Sequence, residues 1–414
     1  MEGRPPGGLF LFAVTVPSPS PDFLRRGTPA YRRANLGLFC SALATFALLY
    51  SPQPILPLLA AEFGVSAATS ALSLSLSTGA LAACLLVAGA VSESRGRKPV
   101  MVAALTVAGV LGLASACATD WTLLLAARLL LGMALAGLPA LAMAWLGEEV
   151  EPRSLPSAMG LLVAGNALGG FLGRLLSGVL AEIGGWRLAL GGIGLLALAA
   201  AACFALLLPP SRHFRPQPLR LAALAGNYAA HLRQPGLRRL FAQSFMLMGG
   251  FVALFNYLPF RLQQPPFGLS AAAVGLLSVV YLLGMGSAGL AGRLVGRWGP
   301  GRVQRAGIAC MVAGTAACAA PWLPAVMAGL GVIAVGFFCA HAVGSAEVGR
   351  QALAARAQAS SLYLGCYYLG SSVVGWAAGY LWGRAGWLAV LAAVAALFTL
   401  ACLRVGVIKT THAG

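Results

Sequence analysis

The sequence predicts an all-α integral membrane protein, with twelve transmembrane helices in two pseudo-symmetric six-helix bundles. Three observations lead there. The chain is 59% hydrophobic and 9% charged, with 53 glycines in 414 residues. A water-soluble domain carries about 25% charged residues, so this chain lacks the material for a water-facing surface. Breaks in charge divide the apolar sequence into twelve stretches, each long enough to cross a bilayer. The last six stretches then repeat features of the first six at a nearly constant offset.

Residues 1–35, rich in Pro, Gly and Arg, are expected to form a cytoplasmic tail, with 1–20 a candidate start-site extension. Leu9 to Val16 is apolar but too short to span. The spans are expected at approximately 36–61, 68–92, 99–118, 121–146, 157–181, 187–208, 239–262, 270–292, 303–320, 323–346, 358–382 and 387–404. The uncharged run from Ala306 to Ala346 is too long for one span. It is expected to divide at Pro321-Trp322-Leu323-Pro324, where two prolines and a Trp suit an interfacial turn. The N-terminal bundle is thus 36–208, a cytoplasmic linker 209–236, the C-terminal bundle 237–405 and a second tail 406–414. Leu219 to Leu232 within the linker reads as a short helix lying on the membrane surface.

Lys and Arg give the orientation. With the N-terminus inside, the inner segments hold 23 of them and the outer segments 3, Arg187, Arg261 and Arg384. Such a bias places both termini in the cytoplasm. It also locates the net charge of +18 in membrane-flanking loops, so lipid is the expected partner and nucleic acid is not. The nine cysteines lie within apolar runs without CxxC or His-Cys spacing. They read as buried free thiols, with no metal site or disulfide framework.

The internal repeat is carried by glycines. Gly89-x-Val91 returns as Gly292-x-Leu294, and Gly96 as Gly299, an offset of 203. Gly169, Gly178, Gly185 and Trp186 return as Gly370, Gly379, Gly386 and Trp387, an offset of 201. Ala47-Leu48-Leu49-Tyr50 matches Ala253-Leu254-Phe255-Asn256 at an offset of 206. A parallel six-span repeat places a substrate site at the midplane between the halves.

The densest mixed-charge cluster is Gly89-Ala90-Val91-Ser92-Glu93-Ser94-Arg95-Gly96-Arg97-Lys98. Thirty uncharged residues precede its charges (63–92) and twenty-one follow them (99–119). It reads as a tight loop at a membrane surface. The pattern Gly-x-(apolar)-x-acid-x-x-Gly-Arg-Lys resembles the loop between helices 2 and 3 of the major facilitator superfamily. That resemblance implies a conformational latch at Gly89, Glu93, Arg95, Gly96, Arg97 and Lys98, holding the halves in the outward-facing state. Glu93 stands where the family usually has Asp, and Ser94 where Arg is common. Gly296 occupies the acid position of the second copy, so the first copy is expected to carry the regulated contact.

Two further stretches extend the resemblance. Leu124-x3-Arg128-x3-Gly132 is similar to the family's helix 4 motif, whose Arg is associated with proton coupling. A charge within a span costs about 2.5–3.5 kcal/mol on insertion scales, so Arg128 either faces a cavity or ties down backbone carbonyls. In helix 5, Gly165, Gly169 and Gly173, with Asn166 and Gly170 between them, resemble a variant of the antiporter motif. Gly170 replaces its proline and Arg174 its last glycine. The form is similar to the branch around the arabinose-efflux permeases and proton-coupled drug exporters. A plain helix-packing stripe explains the same glycines.

One expectation needs no family. Arg128 lies eight residues from Asp120, and Arg174 eight residues from Glu182, both acids being at outer helix ends. At 1.5 Å per residue both cations sit about 12 Å below the outer surface, with no carboxylate beside them. The cavity is therefore expected to favour a substrate with an anionic or strongly accepting group. His341 is a further group that could titrate near neutral pH. Three prolines break helix 1 at Tyr50-Ser51-Pro52-Gln53-Pro54-Ile55-Leu56-Pro57, freeing carbonyls that protein or a watery cavity must satisfy. Gln53, Asn256, Tyr257, Tyr363 and Tyr367 are expected to line a cavity for a bulky, partly apolar solute, although anchoring and core packing would also explain them.

The expected function is secondary active transport across the bacterial inner membrane. It is read as proton-coupled efflux of small organic molecules or drugs by a monomer working by alternating access. The alternative is uniport or import of a small, possibly anionic solute on the same fold, and a non-transporting receptor is a remote third. No GxxxxGK[ST] loop is present and four scattered His form no catalytic set, so neither a primary pump nor an enzyme is expected. No cofactor is expected beyond a proton gradient as the driving force.

Overall fold

A computed structural model of the protein describes residues 23–214 and 221–405. The expected extension at 1–20 and the tail at 406–414 lie outside them. The first helix, α1 (Pro29–Tyr50), begins seven residues before its expected boundary at 36. Thr28 caps it by accepting from the Tyr31 amide, and Pro29 holds the first helical position. The expected tail therefore ends at 28, because the helix continues beyond the apolar stretch and carries Arg32 and Arg33 on its first turns.

After Tyr50 the chain makes a 3-10 turn (Gln53–Ile55) and resumes as α2 (Leu56–Glu62). Next come α3 (Ala67–Arg95), α4 (Arg97–Ala116), α5 (Trp121–Leu135) and α6 (Leu138–Glu149). The fourth span thus breaks at Gly137 ahead of Pro139, a division not expected from charge. One long helix, α7 (Leu155–Leu207), holds two spans that turn at Gly184 and Gly185, the latter at φ +74°. A short helix in the linker, α8 (Leu221–Arg233), leads to α9 (Pro235–Leu262). The eighth span is α10 (Ala271–Leu276), a 3-10 turn and α11 (Val280–Trp298). Then α12 (Pro300–Ala317), α13 (Leu323–Gln351) and α14 (Arg356–Leu403) follow, the last again holding two spans that turn at Gly386, φ +68°. The described residues cross twelve times and contain no β-strand.

The expected ten-residue loop is almost entirely helix. α3 runs through Glu93 to Arg95, and Gly96 alone (φ +95°) makes the connection to α4. Gly299 (φ +77°) does the same between α11 and α12. A side chain is disfavoured at these angles, which is why glycine stands at both copies.

The repeat is visible in helix packing. α1 lies along the first span of α7, and α9 along the first span of α14. A Cβ on Gly169 would stand 2.2 Å from the Leu43 carbonyl oxygen, and one on Gly370 2.1 Å from that of Phe245. These matched crossings pair Leu43 with Phe245, so helix 1 repeats at an offset of 202 rather than 206. One turn along, Gly173 meets Ala47, whereas in the second bundle Val374 meets Gly249. The close approach is kept while the glycine changes helix.

The bundles meet where α3 packs on α14 and α10 on α7. At the face opposite the Arg-rich loops they are clasped. Gln263 Nε2 donates to the Pro54 oxygen at 3.0 Å, and the Ala272 amide to Glu182 Oε1 at 2.7 Å. Gly379 lies against Ala68, and Gly178 against Ala271. Toward the basic face α3 and α14 stay in contact, a Cβ on Gly365 standing 3.4 Å from Leu86. On the other side of the molecule, nothing of another element lies within 4 Å of where a Cβ would stand on Gly286, Gly289, Gly292 and Gly296 of α11. Of the thiols, Cys318 and Cys339 are buried, but Cys117 and Cys310 are exposed on the outside of the bundles, which corrects the expectation that all nine are buried.

Candidate functional site: a cation between the two bundles

The break in α1 positions the site. Pro52 has no amide hydrogen, so the Leu48 carbonyl loses its helical donor. Arg128 supplies the replacement. Its Nη1 donates to Leu48 O at 3.0 Å, its Nη2 to Leu49 O at 2.9 Å and its Nε to Ser73 O at 2.8 Å. Ser177 Oγ donates to Ser51 O at 2.7 Å. Arg128 is 1% exposed, and a Cβ on Gly132 would stand 2.0 Å from the Ser77 oxygen, so α5 is pressed against α3. Three of its five N–H donors thus go to backbone carbonyls of α1 and α3, the carbonyl-tying arrangement that the sequence left beside a cavity role.

Arg174 reaches the same level from α7 with a different environment. Its guanidinium carbon lies 4.5 Å from the ring centre of Tyr50 and 4.8 Å from that of Tyr281, with Phe255 at 5.7 Å. Nε donates to Gln53 Oε1 and Nη1 to Gly170 O, each at 2.5 Å. Among the described residues no carboxylate forms an ion pair with it. The buried hydroxyls of both flanking tyrosines, Tyr50 and Tyr281, have no hydrogen-bond partner, and neither does Asn166 Oδ1. Buried polar atoms are rarely left so, and three of them on the elements around one cation indicate a place made for an accepting or donating solute.

The two halves contribute different chemistry. The first gives Tyr50, Gln53, Asn166 and Arg174. The second gives an aromatic wall: Tyr281 packs on Phe251 (5.5 Å), Phe251 stacks on Phe337 (4.2 Å), and Phe337 stacks on His341 (5.9 Å). Tyr367 lies 4.9 Å from His341, and the Tyr363 hydroxyl is 3.2 Å from His341 Nδ1. Gln53 and Asn256 join the halves, Nε2 of the first donating to Oδ1 of the second at 2.8 Å. Tyr257 does not line this space. It is fully buried and donates to the Gly375 and Trp376 oxygens of α14, which makes it a packing residue. Gly165, Gly169 and Gly173 face the α1 backbone, as a packing stripe does, while Gly170 turns toward Arg174 and Tyr281.

The expected latch residues divide. Arg97, 8% exposed, grips Glu148 of α6 through Nε (2.8 Å) and Nη2 (2.5 Å), and donates to Ser92 Oγ. Lys98 donates to the Leu208 oxygen. Arg95 is exposed. Gly89 and Glu93 line a cavity of about 180 Å³ at the basic face, between α3, α8 and the start of α14. Tyr228 of α8 borders it and donates to Leu86 O at 2.6 Å. Burial raises the Tyr228 pKa above its ordinary value, so the hydroxyl remains a donor at neutral pH. The carboxylate that holds Arg97 is therefore Glu148, while Glu93 lines the cavity.

Two acids are buried at the basic ends of spans. Glu149 (2% exposed) accepts from the Arg212 and His213 amides, and Glu347 (5%) pairs with Arg350. Tyr50, Tyr281, Phe255 and Glu148 escaped the sequence reading. A lone aromatic in an apolar run carries no signal of its own, and Glu148 is conspicuous only once α6 is seen beside Gly96.

Twelve spans in two repeated bundles, closed over a cation at the midplane, define a polytopic membrane transporter. The chain belongs to the Major Facilitator Superfamily, whose family model matches residues 36–355. It is 44% identical over 403 residues to the inner membrane transport protein YnfM of Escherichia coli, covering 97% of this chain and 96% of that one. It is 42% identical to the uncharacterized MFS-type transporter YybF of Bacillus subtilis, covering 92% and 94%. Its fold matches a bacterial homologue of the human lysosomal transporter Spinster, solved inward-facing and unoccupied, with a TM-score of 0.70, 16% identity and coverage of 91% and 94%. A transporter of this class is not an enzyme.

Proposed function

We propose that the protein is a secondary transporter of the bacterial inner membrane that exports small organic anions with an apolar or aromatic body. Arg174 carries this reading. It is a permanent cation, 3% exposed, against an aromatic ring from each half, and the hydroxyls of those two tyrosines are unpartnered. A carboxylate there would accept from the guanidinium and the hydroxyls together, while the wall from Phe251 to Tyr367 covers the solute's apolar part. The site is complete within one chain, which supports a monomer.

The positive-inside bias supports a cytoplasmic basic face, from which an exported solute would load. A proton gradient is the proposed driving force. The second reading is uniport of the anion. It draws on the uncompensated charge of Arg174, since an anion leaving a negative interior gains about 2.3 kcal/mol per 100 mV. Proteoliposomes loaded with labelled benzoate, phenylacetate or 3-phenylpropionate test both. Efflux abolished by Arg174→Ala and accelerated by an imposed pH gradient is expected. Efflux that follows membrane potential alone would favour the uniport, and indifference of all three solutes to Arg174→Ala would remove the anion reading.

A further inference from the structure

Gln53 is 1% exposed and sits in the 3-10 turn that the prolines on either side of it impose, so its amide has little freedom. It touches both halves at once. Arginine only donates, so Gln53 must present its oxygen to Arg174 Nε. Its NH2 group then faces Asn256, whose oxygen accepts at 2.8 Å. Asn256 in turn donates through Nδ2 to the Gly375 oxygen of α14 at 3.3 Å. All three bonds run in one direction, and the direction is set at Arg174. Reversing either amide would bring donor against donor.

We propose that Gln53 couples anion occupancy at Arg174 to release of the closed face. The proposal rests on the anion reading above and adds the residue that reports occupancy to the other half. A carboxylate binds a guanidinium best through two parallel N–H donors, and the edge formed by Nε and Nη2 is the one Gln53 now holds. Binding there withdraws Nε from Gln53 Oε1. The amide loses the partner that fixes its orientation, and the Gln53–Asn256 bond loses its direction. That bond lies beside the Gln263 contact to Pro54, so α1 and α9 are held together over one short stretch of the break. Loosening it frees the clasp that ends at Glu182 and Ala272. Tyr50 from one half and Tyr281 from the other offer hydroxyls to the same anion, so the solute replaces the lost bridge while it is bound.

The full-length protein in nanodiscs, titrated with benzoate, phenylacetate and 3-phenylpropionate, tests this by calorimetry and deuterium exchange. Saturating anion is expected to speed exchange several-fold across residues 50–62 and 256–276 in the parent protein. Gln53→Ala removes the group that competes for Arg174. It is expected to bind the anion about threefold to tenfold more tightly, as loss of one competing hydrogen bond predicts, yet to show no anion-dependent change in exchange. Asn256→Ala leaves Arg174 and Gln53 in place, cuts the link between halves together with the bond to Gly375, and is expected to lose the same response. A Gln53→Ala protein that responds like its parent, or binds more weakly, overturns the coupling role and leaves the anion reading standing. If none of the three anions binds the parent protein, the anion reading fails and the coupling role goes with it.

Discussion

Arg128 completes the hydrogen bonding that Pro52 leaves undone. In an uninterrupted helix the Leu48 carbonyl would accept from residue 52, and here it accepts from a guanidinium on the fourth span at 3.0 Å. With Arg128→Ala the Leu49 carbonyl loses that donor in a buried setting, at about 1–3 kcal/mol, while Leu48 O is left with the longer Ser51 Oγ contact at 3.2 Å. A clear fall in melting temperature in detergent is expected. Arg128→Lys should recover only part of it, because one ammonium cannot reach oxygens on α1 and α3 with the span of a guanidinium. Unchanged melting in the alanine variant would return Arg128 to the cavity.

Arg174 predicts the opposite pattern. Its removal leaves Gln53 Oε1 without its donor, while the Gly170 carbonyl stays within the α7 helical ladder, but takes away the cation of the site. Arg174→Ala is expected to melt near the parent temperature and to lose carboxylate binding by at least about tenfold, the scale of one charge-assisted hydrogen bond. Tyr50→Phe and Tyr281→Phe, which keep the rings and delete the unpartnered hydroxyls, should each weaken binding by a few-fold. Isothermal titration with benzoate measures all three.

The contrast between the two arginines marks the limit of the sequence. Their shared depth could be read by counting from Asp120 and Glu182, because helix rise is constant. Their roles could not, since a lone Arg in a span looks alike whether its partner is a solute or a carbonyl. The prolines of helix 1 announced that carbonyls needed donors but not which residue supplies them. The glycine repeat was legible because a close crossing demands glycine wherever it recurs. It misled where Gly173 and Gly249 exchange helices, which hid the 202-residue register. Gln53 and Asn256 were both legible as polar residues in apolar runs, while their bond to each other depends on how the halves meet.

Those crossings predict matched sensitivity in the two bundles. Gly169→Val and Gly370→Val would each drive a Cβ to within about 2 Å of a backbone oxygen on the facing helix, which no rotamer relieves. Both are expected to abolish folded, membrane-inserted protein to a similar degree, measured by fluorescence-detected gel filtration. Gly147→Ala, where no described atom lies within 4 Å of the added carbon, is the matched control and should accumulate at the parent level. Loss confined to one bundle would contradict the packing symmetry.

Glu182 supplies the last prediction. It stands at the end of the fifth span and accepts from the Ala272 amide at the start of α10, so one carboxylate contributes to the clasp at the face opposite the basic loops. Glu182→Gln keeps an acceptor oxygen and is expected to leave that face shut. Glu182→Ala removes it, exposing the first amides of a six-residue helix whose other cap is Ser270. Deuterium exchange across residues 268–276 should rise several-fold in the alanine variant without anion present, while residues 89–98 at the basic face exchange more slowly as the halves approach there. Because the clasp precedes any solute, this shift should persist in Arg174→Ala. A Glu182→Ala protein whose two faces change together, rather than in opposite senses, would show that the halves do not rock about the centre as rigid units.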